Sequence, residues 1–393
     1  MVVTPHGPEA EADVRPRVML LGSGELSREL AIALGRLGAQ VIAVDEYPHA
    51  PAHGVADQSL VVPLTDVDQV SKVVGRLHPD FVVIATDAVG TQVLEALDGL
   101  ERTELVPSAR AARLTANREG LRRLAADELG LPTAPFWFAG SVGELEAVGA
   151  HAGYPLLVKP VAGAVGPGQS MVTRPEEIGA AWDRAVASQV APERHLVLAE
   201  TVVEVQFYVT LLAVRSDGPG GPVIEFCSPI GHRRADAGVL ESWQPQQMTQ
   251  AATDAAKSIA ARIVKALGGR GVFAVELMIN DEEVYFADVA PRLPDSAWVT
   301  VRSQRLSAFE LLARTILGLP VDTMMISPGA ARAVETGGSP VAAALAGALD
   351  VPESDLRVFR RGFQAVATAP ELTVARDRAR EVATKLAMRD SRR

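Results

Sequence analysis

Residues Gly271 to Asp295 read GVFAVELMINDEEVYFADVAPRLPD. Two runs rich in β-branched and aromatic residues flank the polar knot Asn280-Asp281-Glu282-Glu283, a pattern that predicts a β-hairpin. With the turn centred on Glu282, Glu276 stands directly opposite Asp288, and Met278 and Phe286 share their face. Opposed residues have Cβ atoms about 4.5–5.5 Å apart, and like charges placed so destabilise the pair. A cation between the two removes that penalty, and hard oxygen donors suit Mg2+ carried in on nucleotide phosphates. The bland alternative is a solvated face whose acids keep the hairpin soluble, against which Met278 and Phe286 argue for a partly dry one. Pro291-Arg292 follows at once and is expected to aim a cation at the same place, which favours an anionic ligand.

Upstream, Tyr154-Pro155-Leu156-Leu157-Val158-Lys159-Pro160 reads as a buried strand with one lysine at its end. A lysine among apolar neighbours is costly unless paired, and a phosphate would pair it. A Gly-rich loop follows, Gly163-Ala164-Val165-Gly166-Pro167-Gly168-Gln169, of the kind that lets backbone approach phosphates. It lacks the Gly-Lys-Ser/Thr of a Walker A loop, and an ordinary hairpin turn is the alternative. Leu196 to Val203 predicts a strand that ends in the bend Glu200-Thr201-Val202-Val203, where an adenine edge could meet backbone groups. Asn117-Arg118-Glu119 opens a helix closed by Gly130 and Pro132, and Arg118 taken alone reads as a surface charge. Val209–Val214 and Val223–Cys227 read as paired strands, and Gly231 to Gln247 as a long loop in which His232 is a candidate base, although a lone His in a polar loop is more often solvated.

The amino-terminal part opens with the strand Arg17–Gly22, the turn Gly22-Ser23-Gly24-Glu25-Leu26-Ser27, a helix from Arg28 to Leu37 and a strand ending at Asp45. This βαβ opening is a weak dinucleotide fingerprint with Ser27 in place of its third glycine. Glu25 adds negative charge where a pyrophosphate would lie and suits a substrate amine or ribose hydroxyl better. Val61-Val62, Phe81–Ile84 and Leu105-Val106-Pro107 are further strand candidates of a small doubly wound α/β unit. Beyond 320, short strands, the helix Val341–Ala348 and a closing helix Val374 to Ala387 predict a small β-rich cap.

The chain has 393 residues, 48% hydrophobic and 22% charged, enough for two or three domains with real cores. A net charge of −10 gives no case for electrostatic capture of nucleic acid or an acidic membrane. The single cysteine, Cys227, rules out an internal disulfide framework and suits a reducing cytoplasm. No signal peptide is visible in the first sixteen residues, and no apolar run approaches the roughly 18 residues of a spanning helix.

Lys159 on a strand, the Gly-rich loop, Glu200 at a bend and the Glu276/Asp288 pair before Pro-Arg together resemble the ATP-grasp fold. More specifically, VMLLGSGELSRE, LTANREGLRRLAADELGLPT, GYPLLVKPV, GHR followed by ESWQPQQM, and ALGGRGVFAVEL resemble the formate-dependent phosphoribosylglycinamide formyltransferases. The likeness implies a disordered tail at 1–16, a pre-ATP-grasp α/β domain at 17–115, an ATP-grasp domain at 116–320 and a β-rich cap at 321–393. It implies ATP contacts from Arg118, Lys159, the 164–169 loop (Ala164, Val165, Gly166, Pro167, Gly168, Gln169), Glu200, Thr201, Val202, Val203 and Tyr208. Magnesium falls to Glu276 and Asp288, and substrate contacts to Glu25, Leu26, Asp295, Arg360 and Arg361. The implied reaction activates formate with ATP as formyl phosphate, which the amine of glycinamide ribonucleotide attacks, with Lys159 and Arg292 neutralising charge on the transferred phosphoryl group. A cytoplasmic homodimer is implied as well.

The departures from that family lie at the site. Ala164-Val165-Gly166-Pro167-Gly168 stands where relatives carry Ser-Ser-Gly-Lys-Gly, which removes two hydroxyls, a cation and a backbone donor. Tyr208 replaces a ribose-gripping carboxylate. Ala85 replaces a substrate-binding Glu, with Asp87 nearby. Asp288 replaces a Glu, Pro294 a His, and Val239-Leu240 a Tyr-Arg pair. Each lost charged hydrogen bond costs about 1.5–3 kcal/mol. Two alternatives follow: an ATP-grasp ligase with a different acid or amine, and an inactive relative with a binding or regulatory role.

Overall fold

The computed structural model describes residues 15–161, 168–189, 195–234, 239–334, 342–360 and 362–390. The expected tail at 1–16 lies almost wholly outside them.

The first sheet holds β1 (Arg17–Leu21), β2 (Gln40–Asp45), β3 (Gln58–Val61), β4 (Phe81–Ile84) and β5 (Glu104–Val106), all parallel in the order β3-β2-β1-β4-β5. Its central strands β1, β2 and β4 are buried on both faces because helices cover both, as the doubly wound reading requires. These are α1 (Glu25–Arg36), α2 (Val67–Leu77), α3 (Thr91–Asp98) and α4 (Ala109–Ala116). The turn between β1 and α1 is held by Asp45. Its buried carboxylate accepts the Ser23 N–H at 2.6 Å and the Glu46 N–H at 2.7 Å. The acid of the dinucleotide-like spacing is therefore engaged with the chain's own backbone.

After α5 (Arg118–Arg123), a four-stranded antiparallel sheet follows, in the order β6-β9-β7-β8. It comprises β6 (Phe136–Ala139), β7 (Leu156–Pro160), β8 (Ser170–Val172) and β9 (Val197–Thr201). Helices α6 (Val142–Ala152) and α7 (Ile178–Ala187) bury Leu145, Ile178, Ala181 and Ala185 against Leu156, Val158, Val172 and Val197. That leaves the alternate positions, Lys159 and Glu200 among them, for the other face.

The largest sheet contains β10 (Phe207–Gly218), β11 (Gly221–Phe226), β12 (Ile230–Arg234), β13 (Leu240–Gln244), β14 (Gly271–Asn280) and β15 (Glu283–Ala290). It continues through β16 (Gly329–Val334), β17 (Ser354–Phe359) and β18 (Gly362–Thr368). The order is β15-β14-β10-β12-β13-β16-β18-β17, with β11 also pairing β10. The strands of the expected cap therefore extend the central sheet, because β16 pairs with β13 from Glu241↔Arg332 to Gln244↔Gly329. The segment read as a loop from Gly231 to Gln247 is a correction: much of it is the antiparallel pair β12 and β13. Its polar residues, which suggest a loop, lie partly at the site and partly in ion pairs.

One face of this sheet packs Val209, Leu211, Val275, Leu277 and Phe286 under α8 (Gln250–Leu267). The other packs Leu212, Val214, Val272 and Ala274 against α1 and α10 (Ala308–Ile316), which follows the short α9 (Thr300–Ser303). Towards the far end of that second face the apolar cover stops, and Tyr208, Glu276 and Met278 emerge, with Thr210 buried beside Glu276. The helices α11 (Ala342–Leu349) and α12 (Leu372–Asp390) complete the carboxyl-terminal part. Among the described residues no helix is long and apolar enough to cross a membrane.

Candidate active site

The hairpin β14–β15 sets Glu276 opposite Asp288, and it does so through a β-bulge. From the turn outwards the register runs Ile279↔Val284, Met278↔Tyr285 and Leu277↔Phe286, then jumps to Glu276↔Asp288. Ala287 is the extra residue. Were the inner register to continue without the bulge, Glu276 would face Ala287 and Asp288 would pair with Val275 and point into the core under α8; bulges beside active sites commonly re-aim a side chain in this way. The expectation that Phe286 shares the acids' face is corrected by the same bulge. Phe286 is fully buried on the opposite face with Leu277, while Met278 does stay with Glu276.

Glu276 is held by two donors. Thr210 Oγ1 donates to its Oε1 at 2.8 Å, so the single Thr210 proton is spent there and Ser296 must donate to Thr210 across their 3.0 Å contact. His232 Nε2 lies 3.0 Å from Glu276 Oε2, and because an ionised carboxylate only accepts, the tautomer that fits this contact carries its proton on Nε2. His232, read from sequence as solvated, thus orients a candidate metal ligand, and Tyr208, half exposed, flanks it with ring centroids 6.5 Å apart. Asp288 is less well served: Val289 N–H reaches it at 2.8 Å, and burial pushes its carboxyl up while the charges of Arg122, Arg118 and Lys159 pull it back.

Among the described residues no cluster of three or more His, Cys, Asp or Glu forms a ready metal cage. Two facing carboxylates nonetheless fit Mg2+, which is ordinarily bound by one or two carboxylates together with substrate phosphates.

Lys159 and Glu200 meet across β7 and β9, and the buried Glu200 is shared with Arg122 of α5. Side-chain exposures of 6% for Arg122, 5% for Glu200 and 19% for Lys159 leave the lysine as the member open to a ligand. Arg118 joins them, since its Nη1 donates to Pro160 O at 2.9 Å and its N–H to Val161 O at 3.0 Å. Thr201 ends β9, and Val202 and Val203 lead out of it, Val202 exposed. Gly168 and Gln169 lead into β8. Ala164, Val165, Gly166 and Pro167, expected at the phosphates, and Arg361, expected at the substrate, lie outside the described residues.

Glu25, Asp295 and Arg360 come together in a cavity of about 960 Å3, walled by Tyr47, Arg234, Val239, Leu240, Trp298 and Phe359 among others. The Arg360 N–H donates to Glu25 Oε1 at 3.2 Å. Partial burial raises the Glu25 carboxyl, against the pull of that bond and of Arg28. Asp295 reaches solvent through the cavity yet is hemmed in by protein, and desolvation raises it too, opposed by Arg234 and Arg292. Leu26 is placed elsewhere, in a crevice with Ala85 and Arg292. Arg292, expected to aim at the acid pair, is instead gripped by Asp87 and exerts its charge on Asp295. Both differences have one cause: the β4 end and the Pro291-Arg292 turn pack together, so Arg292 finds a carboxylate beside the first sheet.

Sequence reasoning missed Arg122 and His232. An arginine in NREGLRRL resembles a surface charge until the chain folds Glu200 against it. His232 was hidden by the polar residues around it, Arg233 and Arg234.

The ATP-grasp domain description matches residues 124–309. The formate-dependent phosphoribosylglycinamide formyltransferase of Corynebacterium glutamicum strain R is 48% identical over 377 residues, covering 92% of this chain and 92% of that one. The enzyme of that name from Thioalkalivibrio sulfidiphilus is 43% identical over 396 residues, covering 98% of each. The solved glycinamide-RNase-transformylase T from Mycobacterium tuberculosis superposes with a TM-score of 0.84 at 62% identity, covering 94% of this chain and 99% of that one. N5-carboxyaminoimidazole ribonucleotide synthetase from Thermus thermophilus follows at 0.81 and 26%, covering 94% and 98%.

Proposed function

The chain belongs to the formate-dependent phosphoribosylglycinamide formyltransferase family, and from that premise we propose which of its residues carry the reaction. It is an ATP- and Mg2+-dependent enzyme that formylates glycinamide ribonucleotide with formate, in purine biosynthesis. Formate oxygen attacks the γ-phosphorus of ATP, giving formyl phosphate and ADP. The substrate amine then attacks the formyl carbon, and phosphate leaves.

The observation that carries the assignment of residues is the pair Glu276 and Asp288 facing each other, with Asp288 in electrostatic reach of Lys159 and Arg118. Glu276 and Asp288 would hold Mg2+, whose charge offsets that developing on the phosphates. Lys159 and Arg118 bind phosphate oxygens, and the Glu200–Val203 bend and Tyr208 flank the nucleoside. Glu25 and Asp295 take the amine end of the second substrate, with Arg360 for its phosphate. Arg292, steered by Asp87, stands near Asp295, where formyl transfer needs positive charge. The division at 17–115, 116–320 and 321–393, a homodimer and a cytoplasmic location belong to the same proposal; sedimentation at micromolar concentration tests the dimer.

The test is ADP release with formate and glycinamide ribonucleotide present together. Turnover that needs both supports the assignment, and ATP consumption indifferent to formate sinks it. A second reading, a ligase for another amine, is favoured by one feature: Val239 and Leu240 give the cavity an apolar wall. Turnover with a less polar amine in preference to glycinamide ribonucleotide would select it.

Glu25→Gln isolates the substrate cavity. It keeps the acceptor for the Arg360 N–H but removes a charge from the amine's partner. The expected result is a KM for glycinamide ribonucleotide raised about tenfold, from a charged hydrogen bond of about 1.5–3 kcal/mol, with KM for ATP unchanged. Because burial raises this carboxyl, wild-type affinity for the amine weakens as pH falls through that raised value, and the variant loses part of this slope. An unchanged KM removes Glu25 from the site.

A further inference from the structure

We infer that Arg122 is the positioning residue that lets Lys159 leave Glu200 for the nucleotide and keeps Asp288 turned towards it. This deepens the proposed function and rests on Lys159 being the phosphate-binding lysine.

Three contacts converge on this one buried guanidinium. It pairs with Glu200 Oε1, while Lys159 takes Oε2. Its Nη1 donates to Phe286 O at 3.3 Å, and its Cζ lies 5.9 Å from the Phe286 ring centroid. Phe286 is the last residue in simple register before the bulge at Ala287, and its N–H is taken by Pro132 O at 2.7 Å. Arg122 thus ties the strand bearing Glu200 to the point on β15 where Asp288 is re-aimed. Its charge is also the first of those that offset the burial of Asp288.

Glu200 is 4% exposed, so its carboxylate cannot turn to water for compensation. A buried carboxylate stripped of its partner is strongly unfavourable. When Lys159 turns to a phosphate oxygen, Arg122 is what remains to Glu200. Remove Arg122, and Lys159 becomes the sole ion-pair partner of Glu200 among the described residues, tethered there and withheld from ATP. The forked guanidinium can hold Glu200 and the Phe286 carbonyl together, which a lysine ammonium at the end of a flexible stem cannot do in the same geometry.

The experiment is a calorimetric ATP titration and a Mg2+ titration of turnover on full-length wild type, Arg122→Met, Arg122→Lys and Arg122→Met/Glu200→Gln. Expected for Arg122→Met is ATP affinity about tenfold to thirtyfold weaker and a higher Mg2+ half-saturation. Neutralising Glu200 as well releases Lys159, so the double variant returns to within about threefold of wild-type ATP affinity. Arg122→Lys keeps ATP affinity near wild type, since Glu200 retains a charge, while its Mg2+ half-saturation still rises. A purely structural arginine would lower Tm in Arg122→Met with both titrations unmoved, or give additive losses in the double variant; either overturns the inference. Should Arg122→Met fail to fold, the split between ATP and Mg2+ in Arg122→Lys decides alone. Wild type that binds ATP tightly but ignores formate defeats the proposed reaction and leaves the role of Arg122 standing.

Discussion

Asp288→Asn is expected to lower kcat/KM about a thousandfold while making the ligand-free protein more stable above neutral pH. The rate effect follows from losing one of two carboxylates that fix the metal, whose charge stabilisation of a phosphoryl transfer is worth several kcal/mol. The stability effect has its own sign. Burial raises the Asp288 carboxyl above the ordinary range. The folded protein therefore holds a proton that the unfolded chain releases, and stability falls as pH rises through the interval between the ordinary and raised values. Asparagine keeps the Val289 N–H acceptor and carries no charge to desolvate, so Tm should rise by about 1–3 °C at alkaline pH and stay level below the ordinary carboxylate range. Turnover against Mg2+ and thermal unfolding at two pH values read both. A variant within twofold of wild type in rate would mean that the acidic face is only solvated, and the nucleotide site would have to lie elsewhere.

That the two acids oppose each other could be read from GVFAVELMINDEEVYFADVA, but the route to it could not. A plain two-periodic hairpin gives the right pairing only if the turn is centred on Glu282, whereas the inner register is centred between Asp281 and Glu282 and Ala287 makes up the difference. Alternation reports which face a residue occupies, and it carries no mark of an inserted residue; hence the misplacement of Phe286. The doubly wound amino-terminal sheet was legible because its central strands β1, β2 and β4 carry apolar runs between amphipathic helices. Charged residues were the opaque part. Arg122, His232 and Arg233 look alike in sequence, yet the first is buried between two sheets, the second holds Glu276, and the third pairs with the buried Glu241. Which acid each one meets depends on the packing of strands far apart in the chain. Arg292 makes the same point: its partner, Asp87, lies just beyond β4, 205 residues earlier in the chain.

Gly231→Ala is expected to cost about 3 kcal/mol, a fall in Tm of roughly 5–10 °C, although the substitution adds one methyl group. Gly231 faces Trp243 across the β12–β13 ladder. An added Cβ would stand 2.5 Å from Trp243 Cε2 and closer still to Trp243 Nε1 and Gln246 Oε1. The indole cannot step aside freely. Its Nε1 donates to Gln246 at 2.8 Å, Arg376 lies 4.0 Å from its ring centroid, and it is 8% exposed. The strand must therefore move instead, and the next residue is His232, which orients Glu276. The loss of stability should accordingly come with a raised Mg2+ half-saturation in the fraction that remains folded. Gly231→Ala combined with Trp243→Leu separates the causes: if the indole is the obstacle, the pair loses less stability than the two single losses added. Strict additivity, or a Tm within a degree of wild type for Gly231→Ala alone, would show that β12 has room to spare and that the packing behind His232 does not set the aim of Glu276.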